Sequence, residues 1–93
     1  MALTFEWDPM KASINLEKHG ISFDEASTTF QDILSLTIPD PLHSEGEERF
    51  VLLGYSVLNR LLVVVHTEQH DMIRIISARR ATRKEALTYE EYR

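Results

Sequence analysis

The sequence of 93 residues contains no cysteine, and this absence excludes several kinds of site. There is no disulfide framework, no zinc–thiolate centre and no thiol nucleophile, which fits a protein of a reducing compartment. The three glycines leave no room for a glycine-rich phosphate loop or a G-x-S-x-G nucleophile elbow. The four histidines are scattered, and no pair has i, i+4 spacing on a predicted helix. We therefore expect neither a metal ion nor a cofactor.

Long hydrophobic runs are also missing from the sequence. The longest run, Leu61–Val65, is far too short to span a bilayer. No basic segment precedes the first predicted strand, so we expect no secretory signal. A hydrophobic fraction of 43% with 27% charged residues is typical of a globular chain rather than a disordered one. These features predict one soluble, cytoplasmic domain over residues 1–93, without a membrane partner.

The sequence has few basic residues overall, and they are unevenly distributed. The net charge of −5 argues at first against a nucleic-acid partner. Residues 1–59 contain three Lys/Arg and ten Asp/Glu, whereas residues 60–93 contain seven Lys/Arg and five Asp/Glu. The second segment therefore provides a local cationic site on an acidic body, unless the difference is only an uneven scatter of surface charge.

Three helices are predicted from their start and stop signals. Asp8 before Pro9 is a good helix start, because aspartate caps free N–H groups and proline suits the first turn. Gly20 is suited to the left-handed conformation that ends such a helix. Capping boxes of the S/T-x-x-E type predict two more helices, opening at Ser22–Glu25 and at Thr82–Glu85.

Alternating and apolar segments predict a sheet. The middle segment, Arg60–Thr67, is almost continuously apolar and is expected to be the buried central strand. Asn59 suits a turn residue with positive φ, and tight turns predict antiparallel neighbours. We expect an α+β fold in the order β-α-α-(β)-β-β-β-α, with an antiparallel sheet of three to five strands. The other strand candidates are Ala2–Trp7, Leu34–Ile38, Arg49–Ser56 and Met72–Ala78.

The segment Arg74–Lys84 carries five basic residues at the exit of a strand and the entry of a helix. Arg79 and Arg80 precede the helix start, where backbone N–H groups already favour an anion. The segment therefore predicts a phosphate site; the alternative is a solvated junction neutralised by the acidic loop at Glu45–Glu48. Alternation places Arg74 on an apolar sheet face, and we favour an ion pair with a helix carboxylate over a cleft role.

Other candidates for chemistry lie on the first helix and the central strand. Lys18 and His19, in the exposed last turn, can reach a cleft or can simply complement the helix dipole. Arg60 and His66 share one strand face, and His66 is either a general base or a hydrogen-bonded core residue. The aromatic candidates for base stacking, each with a core or interface role as the alternative, are Trp7, Tyr89 and Tyr92.

Several groups of residues, in order along nearly the whole chain, resemble the motifs of BrnT-type toxins. The combination is specific, although each piece is short. The matching groups are Phe5–Pro9, Asn15, Lys18–Phe23, Glu25-Ala26, Asp40, His43-Ser44, Glu48-Arg49, Gly54, Arg74–Arg79, Ala81-Thr82 and Glu85.

The resemblance implies a RelE-like fold and a ribonuclease that inhibits translation. It also implies a cognate BrnA-type antitoxin with a ribbon-helix-helix region, so that DNA is contacted only through the antitoxin. The catalytic candidates are Lys18, His19, Arg60 and Arg79. The RNA-binding candidates are Arg80, Arg74 and Trp7.

The chemistry implied is metal-independent cleavage by the 2′-hydroxyl of RNA. Arg79 and Arg60 would stabilise the phosphorane, while His19 or Lys18 would move a proton or position the substrate. Two other hypotheses remain from the sequence: a non-catalytic module that binds a small partner protein, and a degenerate toxin that binds its antitoxin without cutting RNA.

Overall fold

Strands and helices follow one another in the order that the sequence predicts, including the short strand after the second helix. The computed structural model describes residues 3–40 and 48–92. The acidic loop at residues 45–47 and the His43-Ser44 motif lie outside these ranges. The strands are β1 Thr4–Glu6, β2 Leu36–Pro39, β3 Arg49–Tyr55, β4 Leu61–Gln69 and β5 Met72–Arg80. The helices are α1 Pro9–His19, α2 Phe23–Thr28 and α3 Arg83–Glu91, with a short 3₁₀ turn at Thr29–Gln31.

The strands form one sheet in the order β1-β5-β4-β3-β2, so β4 is central as predicted. Strands β2 to β5 pair antiparallel, which tight hairpin turns favour. Strand β1 differs, because it pairs parallel with β5, with Phe5 opposite Ile73. No turn joins these two strands, and alternation along a strand carries no information about the direction of its neighbour. The sheet is therefore mixed rather than wholly antiparallel.

The predicted helix ends are confirmed by their cap geometry. Asp8 accepts a hydrogen bond from Met10 N at 2.9 Å, and Gly20 ends α1 with φ 71°. The predicted turn at Asn59 also has positive φ, at 62°. The capping box is complete at α3, whereas at α2 only the Ser22 hydroxyl half is formed. The Glu25 carboxylate accepts hydrogen bonds from Arg60 and Ser56 instead of the cap.

The two faces of the sheet are covered differently. Helices α1 and α2 cover one face, termed the helical face, and α3 covers part of the opposite face, termed the open face. Tyr89 of α3 is buried on the open face, edge-on to Tyr55, and its hydroxyl donates to Asp32 at 2.7 Å. The core lies on the helical face and comprises Ile21, Phe23, Ala26, Leu52, Leu62, Val64, Ile73, Ile75 and Ala78.

A β-bulge decides which face the β5 side chains take. Val65 of β4 lies opposite Ser77, whereas the next residue, His66, lies opposite Ile75. The extra residue between them reverses the alternation along β5. As a result Arg74 and Arg79 share the open face, and Arg80 lies on the helical face.

Candidate active site

A buried carboxylate lies where α2 meets the turn before β4. Glu25 accepts from the Arg60 guanidinium through Nε at 2.9 Å and through Nη2, and from Ser56 Oγ at 2.7 Å. The hydrogen bond from Arg60 holds the pKa of Glu25 below its usual value, although burial works in the opposite direction. Glu25 is therefore ionised at neutral pH, and donors surround its oxygens.

Two arginines act on this carboxylate, and one of them lies beside the last turn of α1. Arg60 Nη2 also donates to the Gly20 carbonyl at 3.4 Å, so the guanidinium lies beside the last turn of α1. Lys18 and His19 are exposed in that turn. Besides Arg60, the positive charge of Arg80 lowers the pKa of Glu25. We use the term α1–α2 corner for Glu25 with Arg60 and Arg80, together with Lys18 and His19 on the adjoining last turn of α1.

Asn15 fixes the end of α1 against the end of β5. Its amide bonds the backbone of Ala78 on β5 and the carbonyl of Ile21 after α1. Ala78 precedes Arg80 by two residues on the same face. This contact is the reason that residues from the first helix and the last strand meet at one corner.

Arg79, a predicted catalytic residue, does not belong to the corner. It lies on the open face, where Nη1 and Nη2 donate to the two carboxylate oxygens of Glu85 at 2.9 and 2.8 Å. The pair lowers the pKa of Glu85 to about 2. Neighbouring residues on a strand point to opposite faces, so the arginine that faces the corner is Arg80.

Arg74 and Trp7, predicted to bind RNA, both contact other side chains of the protein. Arg74 is 47% exposed on the open face, and its Nε is 3.6 Å from Glu6 Oε2 on β1. The favoured ion pair is thus present, but its carboxylate comes from a strand and the site is not buried. The Trp7 ring packs edge-on to Phe23 at 6.0 Å against the core, which was the alternative to base stacking.

His66 is a hydrogen-bonded core residue, which was the alternative to a general base. It is completely buried, with Nε2 2.9 Å from Glu68 Oε2. The rings of Phe30 and Phe50 lie 4.8 and 6.0 Å from its ring. A substrate has no access to such a side chain, so His66 is not the general base.

Glu25, Ser56 and Asn15 were not singled out as site residues from the sequence. The capping-box pattern already explained Glu25, Asn15 stood out only as part of the family motifs, and no local signal distinguishes Ser56. Within residues 3–40 and 48–92, no group of three His, Asp or Glu side chains could hold a metal ion. Each helix in these ranges is too short or too polar to cross a bilayer.

Comparison with known proteins agrees with this architecture. The crystal structure of the Brucella abortus ribonuclease toxin BrnT, at 1.1 Å resolution, superposes with a TM-score of 0.68. It covers 88% of this chain and 100% of its own, at 19% sequence identity, and therefore supports the predicted fold. No curated protein matches the sequence. The model of the family described as the ribonuclease toxin BrnT of type II toxin-antitoxin systems matches residues 7–85. As the sequence motifs predicted, the chain belongs to the BrnT toxin family.

Proposed function

We propose that this chain is an endoribonuclease that cleaves RNA, inhibits translation and binds the scissile phosphate at the α1–α2 corner. As a member of its family, it is the toxin component of a toxin–antitoxin system, which includes an antitoxin partner. The observation that carries the proposal is the meeting of Arg60 and Arg80 at one carboxylate, beside the turn of α1 in which Lys18 and His19 are exposed.

The chemistry needs no group beyond these side chains. Attack by the 2′-hydroxyl of RNA requires a base for its proton, an acid for the 5′-oxygen, and positive charge for the phosphorane. Arg60 and Arg80 donate to the phosphate oxygens, and Lys18 adds positive charge. His19 takes the proton of the 2′-hydroxyl as the 2′-oxygen attacks phosphorus, and the Lys18 ammonium gives a proton to the 5′-oxygen as its bond to phosphorus breaks. Glu25 is not the base, because its oxygens already accept from Arg60 and Ser56 and its lowered pKa makes it a weak proton acceptor.

The cleavage assay uses purified protein, RNA and EDTA. We expect the wild type to cleave and the variants Arg80→Ala and Lys18→Ala to lose at least about tenfold in rate. The matched controls are Arg83→Ala and Lys11→Ala, which remove exposed cations outside the set that defines the corner and should keep the wild-type rate. Folded wild-type protein that leaves RNA intact would overturn the proposal. Activity that disappears in EDTA would overturn metal independence alone.

We also propose a BrnA-type antitoxin with a ribbon-helix-helix region as the partner, acting with this chain in the cytoplasm. The support is membership in a type II toxin family together with the motifs of the sequence. Induced expression should stop growth, and co-expression of the antitoxin should restore it and yield a complex that co-purifies. The isolated toxin should not bind operator DNA, whereas the complex should. Soluble, folded protein that leaves growth unaffected would favour the non-catalytic module.

A further inference from the structure

Glu25 carries a carboxylate in a place where an unpaired charge would be costly. Its side chain is 4% exposed, and three donor atoms surround its two oxygens. Two donors are the Nε and Nη2 of Arg60, which form a fork with fixed geometry. Such a fork fixes the plane of the guanidinium as well as its position.

Ser56 connects the same carboxylate to the backbone that carries Arg60. Its hydroxyl donates to Glu25 at 2.7 Å and lies 3.2 Å from Leu58 N and 3.4 Å from Arg60 N. Its backbone N–H donates to the Arg60 carbonyl at 2.9 Å. Both the main chain and the side chain of Arg60 are therefore fixed relative to Glu25.

The fork leaves part of the Arg60 guanidinium open. Nε and Nη2 are engaged by Glu25 and by the Gly20 carbonyl, whereas Nη1 has no acceptor among residues 3–40 and 48–92. The side chain is 29% exposed. The guanidinium is thus held rigidly while two N–H groups stay free for a ligand at the corner.

A second arginine–glutamate fork, between Arg79 and Glu85, provides a comparison. Arg79 Nη1 and Nη2 both bind Glu85, and Nη1 also donates to the Arg80 carbonyl at 3.2 Å. That pair joins the end of β5 to the start of α3 and lies on the opposite face. Both terminal nitrogens of Arg79 are engaged within the protein, so this pair joins two elements, whereas Arg60 keeps Nη1 open to a ligand.

We propose that Glu25 and Ser56 are positioning residues, which hold Arg60 with its Nη1 donors directed at a phosphate diester of RNA. This inference rests on the proposed function. A positioning role and a purely electrostatic role of Glu25 predict opposite changes in RNA affinity when its charge is removed. Removing the negative charge of Glu25 beside a phosphate should tighten binding if charge alone matters. If Glu25 positions Arg60, the same change should weaken binding.

The test measures the Kd of a 2′-O-methyl RNA oligonucleotide, which binds without being cleaved because its nucleophile is blocked. We expect about a tenfold higher Kd for Glu25→Gln and for Arg60→Lys, since neither variant keeps the charged fork. Ser56→Ala retains every charge and should raise the Kd about threefold. Glu85→Gln adds the same net charge and breaks the comparison fork, but should not raise the Kd.

Each outcome of the experiment decides something. Unchanged or tighter binding by Glu25→Gln overturns the positioning role, while RNA cleavage by the wild type leaves the proposed function intact. Binding that depends on Glu25, in a wild type that does not cleave, supports positioning and overturns the ribonuclease. Failure of the wild type to bind the oligonucleotide overturns the positioning role, and failure to bind it together with failure to cleave RNA overturns the ribonuclease as well. Should Glu25→Gln fail to fold, as judged by thermal melting, the Kd of Ser56→Ala decides.

Discussion

The side-chain amide of Asn15 forms two hydrogen bonds with the backbone of Ala78, a residue 63 positions later in the chain. Nδ2 donates to the Ala78 carbonyl at 2.8 Å, and Oδ1 accepts from the Ala78 N–H at 3.1 Å. Nδ2 also donates to the Ile21 carbonyl at 2.9 Å. One buried side chain therefore holds α1, the segment after it and β5 together, and the α1–α2 corner depends on it.

Substitution Asn15→Ala should lower the free energy of unfolding by about 3 kcal/mol, because it leaves three buried backbone groups without their partner. Chemical denaturation at neutral pH measures this change. Ser27→Ala is a suitable control: its hydroxyl also donates to a carbonyl, that of Asp24, but in an exposed position. A loss for Asn15→Ala no larger than that for Ser27→Ala would contradict the role assigned to Asn15.

Arg79→Ala should keep RNA cleavage within about twofold of the wild type, because Arg79 lies on the face opposite the corner. It should lose about 1 kcal/mol of stability with the partly exposed Glu85 pair. Arg80→Ala should show the opposite combination, with slow cleavage and nearly unchanged stability. Initial cleavage rates and denaturation midpoints of the two variants separate these outcomes. Slow cleavage by Arg79→Ala, with Arg80→Ala active, would place the phosphate on the open face instead.

The Arg79–Glu85 pair should make the free energy of unfolding depend on pH in the acidic range. The hydrogen bond from Arg79 lowers the pKa of Glu85 from 4.5 to about 2. A carboxyl whose pKa is lower in the folded protein contributes stability above about pH 4.5 and loses it as the pH falls toward 2. With side chains 43% and 32% exposed, solvent screening leaves about 1 kcal/mol of this contribution.

Denaturation of Glu85→Gln between pH 7 and pH 2.5 checks this prediction. The variant should be less stable at pH 7 and should lose less stability on acidification than the wild type. Glu17→Gln, a change at an exposed position of α1, should keep the wild-type slope. Parallel curves for wild type and Glu85→Gln would show that the pair does not contribute.

How far the sequence predicts the fold depends on how local each signal is. Asp8, Gly20 and the Thr82–Glu85 box act within one helical turn, so the helix ends follow from neighbouring residues. The parallel pairing of β1 with β5 is a tertiary event between distant segments, and no local pattern specifies it. Helix and strand patterns predict the α+β class, and the motifs shared with the toxin family predict the particular fold.

The candidate site was only partly predictable, for two physical reasons. The bulge in β5 reverses the alternation, so the facing of Arg74 and Arg79 could not be counted from the strand ends. Glu25 satisfied a capping pattern that was a sufficient explanation, although its carboxylate turns to Arg60 instead of the cap. Lys18, His19 and Arg60 came from the resemblance to the toxin family and from the exposed last turn of α1, and their roles stay predictions.

The two glycines at Gly20 and Gly54 should respond differently to alanine. Gly20 has φ 71°, and no atom lies within 4 Å of the place that a methyl group would take, so Gly20→Ala should cost only backbone strain, about 1 kcal/mol. At Gly54 a methyl group would lie 3.1 Å from Ser35 Cβ and 3.3 Å from the Thr29 carbonyl, so Gly54→Ala should cost more, about 2 kcal/mol. Denaturation midpoints give both values.

Gly20→Asn is the control for strain, since asparagine tolerates positive φ better than alanine and should recover part of the loss. No such recovery is expected for Gly54→Asn, because a larger side chain adds to the crowding. The Gly20 carbonyl that accepts from Arg60 is present in every variant at that position, so Gly20→Ala should still cleave RNA. A Gly20→Ala protein more destabilised than Gly54→Ala would mean that the turn after α1 is under steric constraint, which would contradict its open surroundings.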